Sequence, residues 1–165
     1  MTQIGLISDT HGFLDENILK YFQNCDEIWH AGDFGDISIV EKLKELKPLR
    51  GVYGNIDGND IRNIYSETLH WQCEGVKIFM THIGGYPPKY NAAIKKEIIQ
   101  TKPQLFICGH SHILKIIYDH DLQCLHMNPG AAGNQGWHKM RTIVRFAIDG
   151  KEIKNCEVIE LGKRG

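Results

Sequence analysis

No apolar run in these 165 residues approaches the roughly 18 needed to cross a membrane, so a spanning helix is not expected. Five cysteines (Cys25, Cys73, Cys108, Cys124 and Cys156) are odd in number, scattered and without a C-x-x-C pair. That argues against both a disulfide framework and a thiolate zinc site. Neither sign of charge is in excess: 19 Lys and Arg stand against 20 Asp and Glu, a net charge of -1, so nothing pulls the molecule as a whole toward nucleic acid or an anionic membrane. Repeats, low-complexity tracts and a linker are also missing, and a single domain over 1–165 is the expectation, with 162–165 as a frayed tail. The opening Met1-Thr2-Gln3-Ile4 carries neither the basic nor the apolar part of a signal peptide, which fits a cytoplasmic protein. What the sequence does have in excess is histidine, nine residues, and their placement becomes the question.

Periodicity organises the chain into two halves. Residues 3–8 read as a buried strand, 14–22 as a helix, 27–31 as a strand, 37–46 as a helix and 49–53 as a third strand, an alternation that implies a parallel sheet. After Asn59 two apolar runs, 68–73 and 76–81, are joined by Glu74-Gly75 as a tight hairpin. A helix over 92–101 and a strand over 104–108 follow. Strand-like runs then succeed one another at 114–118, 122–127, 141–148 and 152–161, with Asp149-Gly150 as a turn signal, so the second half reads as mostly antiparallel. Two sheets packed face to face with helices outside is the architecture this suggests.

The chemistry lies where strands end. The first-half strands, together with those ending near 81 and 108, run into Asp9 and His11, Asp33, Asn55, His82, and His110 and His112. In an open α/β sheet, ligands bind beyond the carboxyl ends of the strands, so residues spread over 104 positions are expected to share one rim. Gly32, Gly54 and Gly109 precede three of them, where backbone must pass close to a site. A lone Asp at a strand end is ordinarily a cap or turn residue. Seven donors together, two carboxylates, one amide oxygen and four imidazoles, exceed the need of one four-coordinate ion and match two ions sharing a carboxylate. Mixed oxygen and nitrogen donors suit Mn²⁺, Fe²⁺, Zn²⁺, Co²⁺ or Ni²⁺; the donors alone do not choose, and manganese is the expected ion.

Asp9-Thr10-His11, Gly32-Asp33 with Asp36, Gly54-Asn55, Thr81-His82 and Gly109-His110-Ser111-His112, in that order, resemble the blocks of the calcineurin-like metallophosphoesterase superfamily. With Asn128-Pro129-Gly130-Ala131 and the chain length, the resemblance narrows to its small bacterial and archaeal phosphodiesterases. It implies an α/β fold, a four-layer αββα sandwich of two mixed β-sheets flanked by helices. It also implies that Asp9, His11 and His112 hold one ion, that Asn55, His82 and His110 hold the other, and that Asp33 bridges them, with Asp33, Asn55 and His82 at the catalytic core. The implied activity is in-line attack of a metal-bridging hydroxide on a small phosphate ester, a phosphodiester above all. A homodimer or higher homo-oligomer is also implied. The alternative, an idle scaffold of the same fold that binds proteins, is disfavoured because every ligand position holds a competent side chain; a nuclease role is disfavoured by the charge.

The sequence departs from the superfamily pattern at two points. Ile56 stands where many members have a histidine that protonates the leaving oxygen, and Asp57 beside it is read as orienting the Asn55 loop. After His82 the chain continues as Ile83-Gly84-Gly85-Tyr86-Pro87-Pro88; 84–90 and 133–137 are expected to set substrate selectivity. Of the remaining histidines, His30 reads as a packed neighbour of the site, His70 and His120 as solvated, and His126 and His138 as structural.

Overall fold

The computed structural model describes residues 1–165. In chain order its elements are β1 (Thr2–Ile7), α1 (Asn17–Tyr21), β2 (Glu27–His30), α2 (Ile37–Leu46), β3 (Leu49–Gly51), α3 (Asn59–Arg62), β4 (Thr68–Cys73), β5 (Val76–Thr81), β6 (Gly85–Tyr86), β7 (Lys89–Tyr90), α4 (Ala92–Thr101), β8 (Leu105–Ile107), β9 (Lys115–Asp119), β10 (Cys124–Asn128), β11 (Met140–Asp149) and β12 (Glu152–Lys163). They form two five-stranded sheets, ordered β12-β11-β1-β2-β3 and β4-β5-β8-β10-β9, with β6 and β7 as a separate small hairpin.

Period-two burial on both faces of each sheet creates the layers. Ile4 and Leu6 of β1, Trp29 of β2, Ile78 and Met80 of β5, and Leu105 and Ile107 of β8 meet Phe146 in the core between the sheets. Their alternates point outward: Ile7 and Ile28 pack with Ile18, Ile39, Val40, Leu43 and Ile61 of the helices α1, α2 and α3. Phe79 and Phe106 pack with Ile98 of α4 on the other side. The result is the four-layer αββα sandwich of two mixed sheets that the sequence implied.

The second half is mostly antiparallel, as expected, in the pairs β4–β5, β9–β10 and β11–β12. Two features of its pairing were not read: β8 runs parallel to both β5 and β10, and β11 also pairs antiparallel with β1 of the first sheet. The first helix begins at Asn17 rather than Leu14. Asp15 turns the chain there, its carboxylate accepting the Asn17 amide at 2.9 Å and the Arg141 guanidinium at 2.9 Å, a side-chain turn that competes with helix. The helix α3 went unread because one buried residue, Ile61, is too little for a periodic signal. No helix is long and apolar enough to cross a membrane.

Candidate metal centre

Parallel pairing of β1 with β2 and β2 with β3, and of β5 with β8, brings the carboxyl ends of strands from both sheets to one edge. The residues that follow those ends converge. Ligand-type atoms of Asp9, His11 and His112 lie within 4.8 Å of one another, and so do those of Asp33, His82 and His110. Asn55 joins the second group, its Oδ1 lying 3.1 Å from Nδ1 of His110. The groups meet at one atom: Asp33 Oδ2 is 3.1 Å from His82 Nε2 and 3.5 Å from His11 Nε2.

The backbone is bent to achieve this. Asp9, His11, Asp33, His110 and His112 all have φ between 47° and 69°, the left-handed region that non-glycine residues avoid. Each such residue costs of order 1–3 kcal/mol, and clusters of them mark sites where surrounding contacts enforce the geometry. Close approach explains the glycines: a Cβ on Gly54 would fall 2.0 Å from Asp33 Oδ1, and one on Gly109 would fall 2.2 Å from Ser8 Oγ.

Each carboxylate spends one oxygen on the protein and turns the other to the histidines. Asp9 Oδ2 accepts from Ser8 Oγ at 2.6 Å and from the His110 amide at 3.1 Å, while Oδ1 faces His112 Nε2 at 3.1 Å and His11 Nε2 at 3.7 Å. Asp33 Oδ1 accepts from the Ile56 amide at 3.1 Å. His82 donates its Nδ1–H to the Ala31 carbonyl at 2.8 Å, which leaves Nε2 as a lone pair aimed at the centre. Burial pushes the Asp9 carboxyl up, but the imidazoles of His11, His112 and His82 with the Ser8 hydroxyl pull it well below the ordinary range. Asp33 is likewise lowered: burial pushes it up, and His82 together with the Ile56 amide pulls it down further. Both are therefore anionic at neutral pH.

Whether this donor set suits a cation is settled by its unpaired atoms. Asp9 Oδ1, His11 Nε2 and His82 Nε2 are buried and make no hydrogen bond in spite of their proximity. Buried polar atoms left without partners are rare and costly, about 1–3 kcal/mol each. Ligand-type oxygen and nitrogen atoms that converge on common points without hydrogen-bonding partners are what a divalent ion satisfies.

Asp57 ties the centre together more extensively than sequence reading anticipated. Its carboxylate, 3% exposed, accepts the amides of Asp33 at 3.0 Å, Phe34 at 3.3 Å, Gly35 at 2.9 Å and Gly54 at 2.8 Å. One side chain thus locks the loop after β2 to the loop after β3. Asp57→Ala is expected to cost at least about 1–3 kcal/mol by orphaning buried amides, read as a lower urea midpoint with unchanged slope. His30 also sits behind the centre as expected: its Nδ1 accepts the Gly32 amide at 3.0 Å, and its Nε2 pairs with Thr10 Oγ1 at 3.1 Å.

Other histidines fall partly outside expectation. His138 stands edge-on to His112, ring centroids 5.1 Å apart, with its Nε2 held by the Gly133 carbonyl at 2.8 Å. His70 is not simply solvated, since it stacks on Phe79 at 4.3 Å and pairs with Glu97 at 3.0 Å. His126 is far from exposed and belongs to neither ligand group.

Beside Asn55 and His82 opens a cavity of about 440 Å³, lined also by Tyr53, Arg62, Ile83 and Asn91. Neither 84–90 nor 133–137 lines it, whereas Gly85 and Tyr86 line a separate cavity. Arg62 was missed because the cavity it lines is assembled from distant segments, among them His82 and Asn91, although its own contacts are local: its guanidinium donates to the carbonyls of Asp57 at 2.6 Å and Asn55 at 3.2 Å and lies 4.5 Å over the Tyr53 ring.

Comparison with known proteins agrees with this geometry. A family profile described as the calcineurin-like phosphoesterase superfamily domain matches residues 2–151. A probable metallophosphoesterase of Methanocaldococcus jannaschii is 30% identical over 135 residues, covering 78% of this chain and 67% of that protein. Among solved structures, an archaeal phosphodiesterase superposes with a TM-score of 0.78 at 22% identity, covering 96% and 99% of the two chains. The Vps29 of Chaetomium thermophilum also gives 0.78, at 14% identity over the full length of both. At such identities these two structures speak for the fold alone.

Proposed function

The chain belongs to the calcineurin-like phosphoesterase superfamily, and from that premise we propose that it is a metal-dependent phosphodiesterase working with two divalent ions, manganese in the first place. The observation that carries this reading is the pair of donor groups that share Asp33 Oδ2, each containing buried atoms with no protein partner. Asp9, His11 and His112 would hold one ion, Asn55, His82 and His110 the other, and Asp33 both. Bound there, such ions supply an activated water and neutralise charge on the phosphoryl oxygens.

The protein's own contribution is placement. The Ser8 hydroxyl and the His110 amide fix the Asp9 carboxylate, the Ile56 amide fixes Asp33, and the Ala31 carbonyl sets the tautomer of His82. Asp57 and Arg62 hold the Asn55 loop from two sides. The cavity at Asn55 and His82 admits a small diester, and Arg62 on its wall is a cation for the substrate's anionic oxygens. A scaffold without catalysis has less support, because all seven positions carry metal-competent side chains.

Reconstitution with Mn²⁺ tests the reading. Elemental analysis of folded protein is expected to find about two ions per chain, and removal by chelator is expected to abolish hydrolysis of bis(nitrophenyl) phosphate, with activity restored on adding Mn²⁺ back. One ion or none in folded protein would overturn the two-ion centre; two ions with no turnover of phosphodiesters or phosphomonoesters would overturn the enzyme.

A further inference from the structure

His126 is 1% exposed, and neither of its ring nitrogens has a hydrogen-bond partner. It lines a separate cavity of about 210 Å³ with Ser111, Lys115, Asn128, Tyr86 and Ile113. Burial pushes its imidazole down to about 4 with some help from Lys115, so the ring is neutral and carries one N–H. That donor has no acceptor in the protein, an arrangement costing about 1–3 kcal/mol.

Two further groups on the wall keep protons to donate, the Ser111 hydroxyl and the Lys115 ammonium. Ser111 Oγ accepts from the Asn128 side-chain amide at 3.2 Å and from the Ile113 amide at 3.2 Å, which leaves its own proton to donate. Asn128 is fully engaged, its Nδ2 also donating to the Gly109 carbonyl at 3.1 Å and its Oδ1 accepting the Gly130 amide at 2.9 Å. The Lys115 ammonium stands 4.8 Å from the Tyr86 ring centroid. No carboxylate lines the cavity. Asp119 of the same strand is occupied by the Tyr90 hydroxyl at 2.9 Å and by the amides of Asp121 at 3.0 Å and Leu122 at 3.1 Å.

We propose that this cavity is a second, metal-independent anion site that takes a phosphate group, held by the Lys115 ammonium, the Ser111 hydroxyl and the His126 N–H. Three donors, one of them charged, surround a space without an acid, and a tetrahedral oxyanion supplies the acceptors they lack. Since Ser111 separates His110 from His112, a phosphate bound there sits against the loop of the proposed ligands, in a cavity that none of the seven proposed ligands lines. The site does not depend on hydrolysis, so it can be tested apart from it.

The test is NMR of the histidine ring signals in the full chain with excess Mg²⁺, titrated with inorganic phosphate and, separately, with glycerol phosphate. His126 is expected to shift saturably with inorganic phosphate, and again after chelation of the metal. A glycerol phosphate titration that matches it shows that a phosphate carried on an organic group is accepted; a response to inorganic phosphate alone identifies the free ion as the ligand. Lys115→Ala, at a half-buried position outside the core, is expected to weaken the His126 response by roughly 10- to 100-fold. Shifts confined to His82 and His110, or a His126 response of undiminished affinity in folded Lys115→Ala, would overturn the proposal.

Discussion

Asp33→Asn is expected to lose more activity than Asp9→Asn or Asn55→Ala, and to lose both ions while the fold persists. The reason is local geometry. Oδ1 of Asp33 is anchored by the Ile56 amide at 3.1 Å, and an asparagine keeps that acceptor in place. Its amide nitrogen then occupies the position of Oδ2, 3.1 Å from His82 Nε2 and 3.5 Å from His11 Nε2. A hydrogen-bond donor replaces the shared anion where two lone pairs converge, so the substitution removes charge from both groups and satisfies their imidazoles in the wrong way. Outer partners of metal ligands typically cost about 10–100-fold when mutated, and a group bridging two ions is expected to exceed that range. Elemental analysis and diester hydrolysis on the folded variant measure it. Unchanged affinity for both ions would take Asp33 out of the bridging role.

The second large effect concerns the departing oxygen. Ile56 is 47% exposed beside the Asp33 carboxylate, and its side chain has no proton to give. The neighbouring Asp57 cannot substitute, because both of its oxygens accept backbone amides behind the centre. His138, the imidazole that packs against His112, has its Nε2 engaged with the Gly133 carbonyl. A positioned general acid contributes about 100- to 10,000-fold, and most for a basic leaving group. Aryl diesters whose phenolate leaves unaided are therefore expected to react far faster than alkyl diesters, with a steep dependence of rate on leaving-group pKa. Ile56→His is expected to flatten that dependence, raising alkyl ester turnover by up to the same factor. A flat dependence in the unmodified protein, with chemistry limiting the rate, would show that another group donates the proton.

Strand by strand, the sequence alone determined where the donors stand. Asp9, Asp33, Asn55, His82 and His110 follow apolar runs whose burial is a local property of alternation, and a parallel sheet carries such positions to one edge whatever the details. Local pattern also sufficed for the excess of donors over one ion. It did not suffice for the assembly. Sheet membership of β11 and the parallel setting of β8 were decided by pairings between distant segments, which hydrophobic period cannot encode. The same holds within the site. That Asp57 locks two loops, that Arg62 enters the cavity and that His126 lies unpaired behind Ser111 depend on partners 17 or more residues apart or on packing between layers. Five of the proposed ligands hold left-handed backbone that their residue types disfavour, so only the tertiary structure, through the contacts that enforce it, aims them inward.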